Sequence, residues 1–487
     1  MIALDLLDAD LVARLIADAR DVLGRVGVEV HSPDALALLG DHGARVDMPR
    51  RRAFLPDALI DRALATVPRS VPLYDSTGQQ THEIGDPHVS FTPGSSALRV
   101  LDPQTGEMRP PTTADYVRYV KVVSGLSHIA AQSTAFIPAD VDARISDSYR
   151  LYLSLSYGEK PVVTGAFSVE GLAVMRDLQL AVRGTGAALR ERPLAIFSCC
   201  PTSPLQWSAT GCHTIVECAR AGVPIEIVPM PLAGLTAPVT LTGAITQHAA
   251  EALSGIVLHQ LAVPGAPLLY GGSTAIFDVR HESTPMGAVE TMLLACACAR
   301  LGRHLGVPTQ AYIALSDAKT FDAQAGAETA MGAVLAALSG INHISGPGML
   351  DFENGFSLEK LVLDNELCGM ALRVREGIVQ RDRGSILPLM AELLQERHLL
   401  IADHTRQFLR QEIRWPSAVI DRTTDARWTQ DGRPSIVARA AAEASALQSR
   451  YVPPRMPSEV QRDLTDRMLA EARRFGAERL PECPCAG

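Results

Sequence analysis

The densest run of groups able to do chemistry is Ser316-Asp317-Ala318-Lys319-Thr320-Phe321-Asp322-Ala323-Gln324-Ala325-Gly326. Two carboxylates, a lysine and an amide in one stretch suit proton transfer, a Schiff base on Lys319, or the holding of a cation. Ser316 or Asp322 equally suits a cap for the helix that starts near Gly326. A second cluster, Phe277, Asp278, Arg280, His281 and Glu282, sets an aromatic face among charges of both signs. That mixture fits a zwitterion, because arginine forks a carboxylate while a carboxylate or a ring attracts an ammonium. The same Asp278 and Arg280 also read as a solvated loop ion pair.

Asn342 and His343 stand just before Ser345-Gly346-Pro347-Gly348, whose glycines let the backbone approach a ligand. His343 reads either as a working imidazole or as one hydrogen-bonded inside a wall. Cys199, Cys200, Cys212 and His213 invite zinc, yet their spacing is not that of a zinc knuckle, and packed thiols are the plainer reading. Cys483 and Cys485 fall in a terminal tail that reads as disordered rather than metal-binding. Phosphate-cradling glycine loops and a nucleophile elbow are both missing from the sequence.

These residues need a scaffold that brings strand ends together. Short apolar runs suited to strands recur at Val89–Phe91, Ile129–Ala135, Pro161–Phe167, Leu194–Cys199, Ile225–Met230, Pro267–Tyr270, Thr309–Leu315 and Ile341–Ser345. Helical periodicity fills the gaps, including Val169–Val182, Ala209–Ala221, Leu241–Leu261 and Pro285–Leu305, and Ser357–Arg375 follows the last strand. Eight such units predict an α/β protein of the (β/α)8 TIM barrel class, with chemistry at the carboxyl ends of the strands. The expected organisation is a helical segment over residues 1–84, the barrel over 85–378 and a helical arm over 379–487. Between strands one and two, Asp102-Pro103-Gln104-Thr105-Gly106 reads as a hairpin turn, either a surface hairpin or a lid. The arm is expected to embrace the barrel or a second subunit, which makes a homo-oligomer the expected state.

Composition narrows the partners. The chain has 487 residues, 47% hydrophobic and 20% charged, with a net charge of −9. A large core is within reach, and nucleic acid is a poor partner for so acidic a chain without a basic patch. No apolar run reaches about 18 residues and the first residues do not form a signal peptide, so a cytoplasmic protein without membrane contact is expected. Nine cysteines, mostly in apolar segments, are expected to be reduced thiols.

Several stretches resemble the trimethylamine methyltransferase family: Val100-Leu101-Asp102-Pro103-Gln104-Thr105-Gly106-Glu107-Met108-Arg109-Pro110, Phe277-Asp278-Val279-Arg280, Ser316-Asp317-Ala318-Lys319, Asp322-Ala323-Gln324-Ala325-Gly326, Gly340-Ile341-Asn342-His343 and Ser357-Leu358-Glu359-Lys360. His404-Thr405, Trp415-Pro416, Asp421-Arg422 and Trp428 continue the likeness into the arm. The resemblance implies a barrel that demethylates amines for a partner corrinoid protein. The trimethylamine enzymes carry pyrrolysine, whereas this chain has only standard residues. It therefore resembles the group without pyrrolysine, some of which act on glycine betaine and related quaternary amines.

On that footing the expected reaction moves a methyl group from a betaine-like quaternary amine to the cob(I)alamin of a separate corrinoid protein. No tightly bound cofactor and no metal are expected, since the cobalamin arrives on the partner. Asp317 and His343 are the expected catalytic residues. Phe91, Phe277, Arg280, Tyr312, Phe321, Gln324 and Asn342 are the expected substrate-binding residues. The alternatives are a zinc-dependent methyltransferase using Cys199, Cys200 or His213, a Lys319 Schiff-base lyase, and a non-catalytic amine binder.

Overall fold

The computed structural model describes residues 2–382 and 384–481. Cys483 and Cys485 lie outside the described residues. Eight short parallel strands appear where the apolar runs place them: β1 (Ser90–Thr92), β2 (Gln132–Ser133), β3 (Val162–Thr164), β4 (Ala195–Cys199), β5 (Ile225–Ile227), β6 (Leu268–Tyr270), β7 (Gln310–Tyr312) and β8 (His343–Ser345). Each precedes a helix: α1 (Thr113–Ser124), α2 (Ser146–Tyr157), α3 (Val169–Arg183), α4 (Ala209–Ala221), α5 (Leu241–Ala262), α6 (Val289–His304), α7 (Ala323–Leu338) and α8 (Leu358–Glu376). Parallel pairing runs from β2 through β6, and again from β7 through β8 to β1. A Tyr270–Thr309 bridge joins the two sheets on one side, and the Ala130 amide donates to the Phe91 carbonyl at 2.8 Å on the other. The ring is closed, which makes this the expected (β/α)8 TIM barrel.

Helix starts follow from capping chemistry. Thr112 and Asp115 form a reciprocal capping box that fixes the start of α1. Ser168, Ser208 and Ser357 cap α3, α4 and α8 with their hydroxyls. Asp322 caps α7 by accepting from the Gln324 and Ala325 amides, so its capping role is the one seen.

A hairpin, Val71–Tyr74 with Gln80–Ile84, closes the barrel at the amino ends of its strands. Its Val71, Leu73 and Ile84 pack on Ile196 and Leu269, which point into the barrel and form a separate apolar cluster. The main core lies outside the ring, between strands and helices, and includes Phe91, Ile225, Ile227 and Ile344. The first 84 residues hold more than helices: Ala9–Asp21, Pro33–Asp41 and Asp57–Leu64 are joined by a small sheet built from Val28–Val30, Arg45–Asp47 and Arg52–Phe54. This part packs on α5.

The excursion after β1 is a hairpin, Arg99–Leu101 with Met108–Arg109, its turn held by Asp102 accepting from the Gln104 and Thr105 amides. Beyond α8, Ile436–Ser449 packs against α8 and α1, and Ser458–Arg474 against α2 and α3, so much of the arm wraps its own barrel. Two intervening helices, Leu387–Glu396 and Asp403–Glu412, bury no residue. Among the described residues no helix is long and apolar enough to cross a membrane.

Candidate functional site

Strand alternation decides which side chains enter the barrel. On β5, Ile225 and Ile227 belong to the outer core, so the intervening Glu226 must turn inward, in register with Ser198 and Leu269. On β7, Gln310 and Tyr312 turn inward around the core residue Ala311, level with His343 and Ser345 on β8. A carboxylate between two β-branched apolar residues is the signal in the sequence that would have pointed to Glu226.

The interior polar network grows from these positions. Ser198 donates to Glu226 Oε1 at 2.5 Å, while Glu226 Oε2 is buried without a protein partner. The Gly272 amide donates to Gln310 Oε1 at 3.2 Å, and Gln310 Nε2 reaches Ser345 Oγ at 3.3 Å. The Tyr312 hydroxyl meets Ser95 Oγ at 2.9 Å.

Above them hangs Glu353, on three successive residues, Asp351, Phe352 and Glu353, with φ of 50°, 57° and 69°. Non-glycine residues in this left-handed region are strained, and such strain persists only where the surroundings enforce it. Here the Asp351 amide is tied to the Ala318 carbonyl, and the Asn354 carbonyl accepts from the Leu98 and Arg99 amides. Glu353 Oε1 is buried without a protein partner.

Electrostatics mark the same place. Burial pushes the Glu226 carboxyl up to about 7, opposed by the Ser198 hydrogen bond. Burial pushes Glu353 up to about 8, and Asp317 adds to the rise. The Tyr312 hydroxyl is raised by burial and by the nearby Glu226 and Glu353. Cys200 is an exposed residue whose thiol is surrounded by protein, and burial with Glu226 and Glu353 raises that thiol to about 12. Desolvated titratable groups gathered at the carboxyl ends of barrel strands are the pattern of a functional site. Two carboxyls poised near neutrality beside a tyrosine and a ring of hydroxyls can hold a cation, ionising as it arrives.

The residues expected from sequence divide. Tyr312 lies in this wall. Asp317 is close by, but its carboxylate accepts from the Met286 and Gly287 amides at 2.9 and 2.8 Å, bracing the loop after β6 onto β7. Burial raises it to about 6, against the pull of the Gly287 amide. Gln324 is exposed and donates to Glu328, and Phe321 packs with Ala318, Ala325 and Leu350 in a small cluster beneath the loop. Phe277 is half-buried in the loop after β6. Arg280, on the same loop, is locked to Asp278 at 2.6 Å with its side chain 78% exposed, the solvated pair of the plainer reading.

Three expectations are corrected by strand direction. His343 and Asn342 sit at the amino end of β8, opposite the active face. His343 is fully buried, its Nδ1 3.3 Å from Ser90 Oγ, and desolvation lowers it to about 3 with help from His82 of the floor hairpin. Asn342 accepts from the Thr309 amide and donates to Asp86 and to the His88 carbonyl. Phe91 is level with the outward Ile344 and belongs to the core against the helices.

The alternative sites do not assemble. Cys199 lies near Cys212 and Cys218 of α4, Cys200 lies near Glu226 and Glu353, and His213 lines a crevice between α3 and α4. Among the described residues no three His, Cys, Asp or Glu side chains group as a metal site. Lys319 donates to the Asp317 carbonyl, pairs with Asp351 at 3.5 Å and lies 3.5 Å over the Phe352 ring, so its side chain is engaged by neighbours and more than half exposed rather than enclosed in an apolar pocket.

Comparison with known proteins adds the following. A family model described as trimethylamine methyltransferase (MTTB) matches residues 1–476. The chain is 29% identical over 440 residues to the trimethylamine methyltransferase MttB of Desulfitobacterium hafniense strain DCB-2, covering 90% of this chain and 88% of that one. It is 26% identical over 476 residues to the glycine betaine methyltransferase of Desulfitobacterium hafniense strain Y51, covering 97% and 98%. Among solved structures, the Methanosarcina barkeri monomethylamine methyltransferase (MtmB) matches with a TM-score of 0.50 at 10% identity, covering 96% of this chain and 88% of that one. That likeness speaks for the fold.

Proposed function

The chain belongs to the trimethylamine methyltransferase family, and from that premise we propose that it takes a methyl group from a quaternary amine and delivers it to the cobalt(I) of a separate corrinoid protein. The observation that carries this reading is the pair Glu226 and Glu353, two desolvated carboxyls flanking Tyr312 inside the mouth.

A quaternary ammonium leaves as a neutral tertiary amine, so the reaction needs no proton donor. The residues have correspondingly little acid–base work: Cys200 and Tyr312 are held protonated by burial. What remains is to hold the cation, aim one N–methyl bond outward and exclude water. Glu226 and Glu353 supply the countercharge, and the Tyr312 ring a face of the kind that attracts ammonium groups. Gln310, fixed by Gly272 and Ser345, stiffens the wall between β6 and β8.

The corrinoid, when docked, supplies the nucleophile that accepts the methyl group. The rim suits so large a visitor: Leu98, Phe167, Leu235, Val239 and Val279, from the loops after β1, β3, β5 and β6, are all more than half exposed. Apolar side chains held in solvent on one face mark a surface that meets a partner. Turnover tests the reading, with quaternary amines offered to the protein and a reduced corrinoid protein as acceptor. Methylation of the acceptor by wild type, lost in the Glu226→Gln, Glu353→Gln double variant, is expected. Equal turnover in both would overturn it.

A further inference from the structure

Arg150, on α2, is 0% exposed and, among the described residues, forms no ion pair with any carboxylate. Its Nε donates to the Ser146 carbonyl at 3.1 Å, and its Nη1 to Ser96 Oγ at 3.0 Å and the Thr134 carbonyl at 2.9 Å. Its Nη2 is buried with no protein partner. The one charge that faces it is that of Asp147, at a distance, beside the Tyr116 hydroxyl, which burial keeps protonated and neutral. Asp147 is already committed, accepting from the Phe167 and Ser148 amides. A guanidinium buried without a contacting counterion costs several kcal/mol, and an unused donor adds to that cost. Such a charge is sustained where its counterion arrives with a ligand.

The position fits that role. Ser96 follows β1, Thr134 follows β2 and Phe167 follows β3, so the guanidinium lies on the active face, beneath the rim. The Phe167 ring covers it, with Arg150 Cζ 4.8 Å from the ring centre, and Phe167 is itself 51% exposed and free on its outer side. Ser96 is held at φ 65°, while its neighbour Ser95 bonds the Tyr312 hydroxyl. A continuous line of contacts, Tyr312 to Ser95, then Ser96 to Arg150, thus joins the cation-binding wall to an unpaired positive charge. The other arginine and amide expected for this task, Arg280 and Asn342, are spent on Asp278 and on the barrel floor.

We infer that Arg150 is a specificity-determining residue that recognises the anionic end of the substrate. A swing of the Phe167 ring exposes Nη2 to a carboxylate, while the ammonium of the same molecule sits at Glu226 and Glu353. The inference rests on the proposed amine reading and narrows it to zwitterionic quaternary amines.

The probes are a series of trimethylammonio carboxylates of increasing chain length, each paired with its methyl ester, which masks the negative charge alone. Calorimetry on the wild type is expected to give tighter binding of at least one acid than its ester, by about 10- to 100-fold, the range of one charged hydrogen bond. Arg150→Gln, its fold checked by circular dichroism, is expected to remove that preference while leaving ester binding within about twofold, and Arg150→Lys to restore part of it. Equal binding of every acid and ester by wild type overturns the Arg150 inference even if Arg150→Gln fails to fold, and leaves the amine reading standing. Binding of neither form removes both.

Discussion

If Glu226 and Glu353 hold the cation, affinity must rise steeply with pH, and the size of the effect follows from their burial. In the free protein the two carboxyls titrate near 7 and near 8, both raised by desolvation. A cation lodged beside them favours the ionised forms, so binding expels whatever protons they carry. With both required to ionise, the dissociation constant falls about 1,000-fold between pH 6 and pH 9, or about 4 kcal/mol; with Glu353 alone the change is about 90-fold. At pH 7 the same arithmetic gives about 1.4 protons released per cation bound. Calorimetry with tetramethylammonium, repeated in buffers of different ionisation enthalpy, reads both the affinity and the proton count. Glu226→Gln is expected to reduce the pH effect to the single-carboxyl value. An affinity that is flat from pH 6 to 9, or that strengthens in acid, would refute the assignment of these carboxyls as the countercharge.

Other consequences concern residues first expected at the site. Asp317→Ala removes the acceptor of the Met286 and Gly287 amides and is expected to lower stability by about 1–3 kcal/mol, read by denaturant melts, with methyl transfer retained. His343 is neutral when folded down to about pH 3, whereas an unfolded histidine takes a proton near 6.5. Its contribution is complete above pH 6.5 and is lost as pH falls, by up to about 1.4 kcal/mol per pH unit, so His343→Gln should show a flatter acid melting curve. Among the described residues, those of 378–415 expose eleven large apolar side chains, including Ile378, Leu387, Leu394, Leu400, Ile401 and Trp415. Their exposed surface is of order 1,000 Å², against about 800 Å² per partner in a stable interface, so light scattering should find an oligomer that Leu387→Glu with Leu394→Glu dissociates.

The fold was legible because parallel barrel strands and amphipathic helices leave strong periodic marks. Runs such as Leu194–Cys199 and Ile225–Met230, each followed by a helical pattern, locate β4 and β5 within a few residues. The site was far less legible. Residue type drew attention to His343 and Asn342, but only strand direction tells that they open β8 rather than end it. Phe91 needed the register with Ile344 before it could be turned outward. Glu226 left an alternation signal, a carboxylate flanked by Ile225 and Ile227, whereas Gln310 stands between Thr309 and Ala311 and left a weaker one. Glu353 left none, because it reaches the mouth through three left-handed residues that no local pattern announces. Arg150 sits in the middle of a helix sequence, and its unpaired Nη2 emerges only when the loops after β1, β2 and β3 close around it.

Single turnover with an isotopically labelled quaternary amine tests the central claim most directly. One labelled methyl group on the reduced corrinoid protein for each tertiary amine released, with tertiary amines inert as donors, is the predicted result. Demethylation that proceeds equally well from tertiary amines, or no transfer from any quaternary amine, would contradict it.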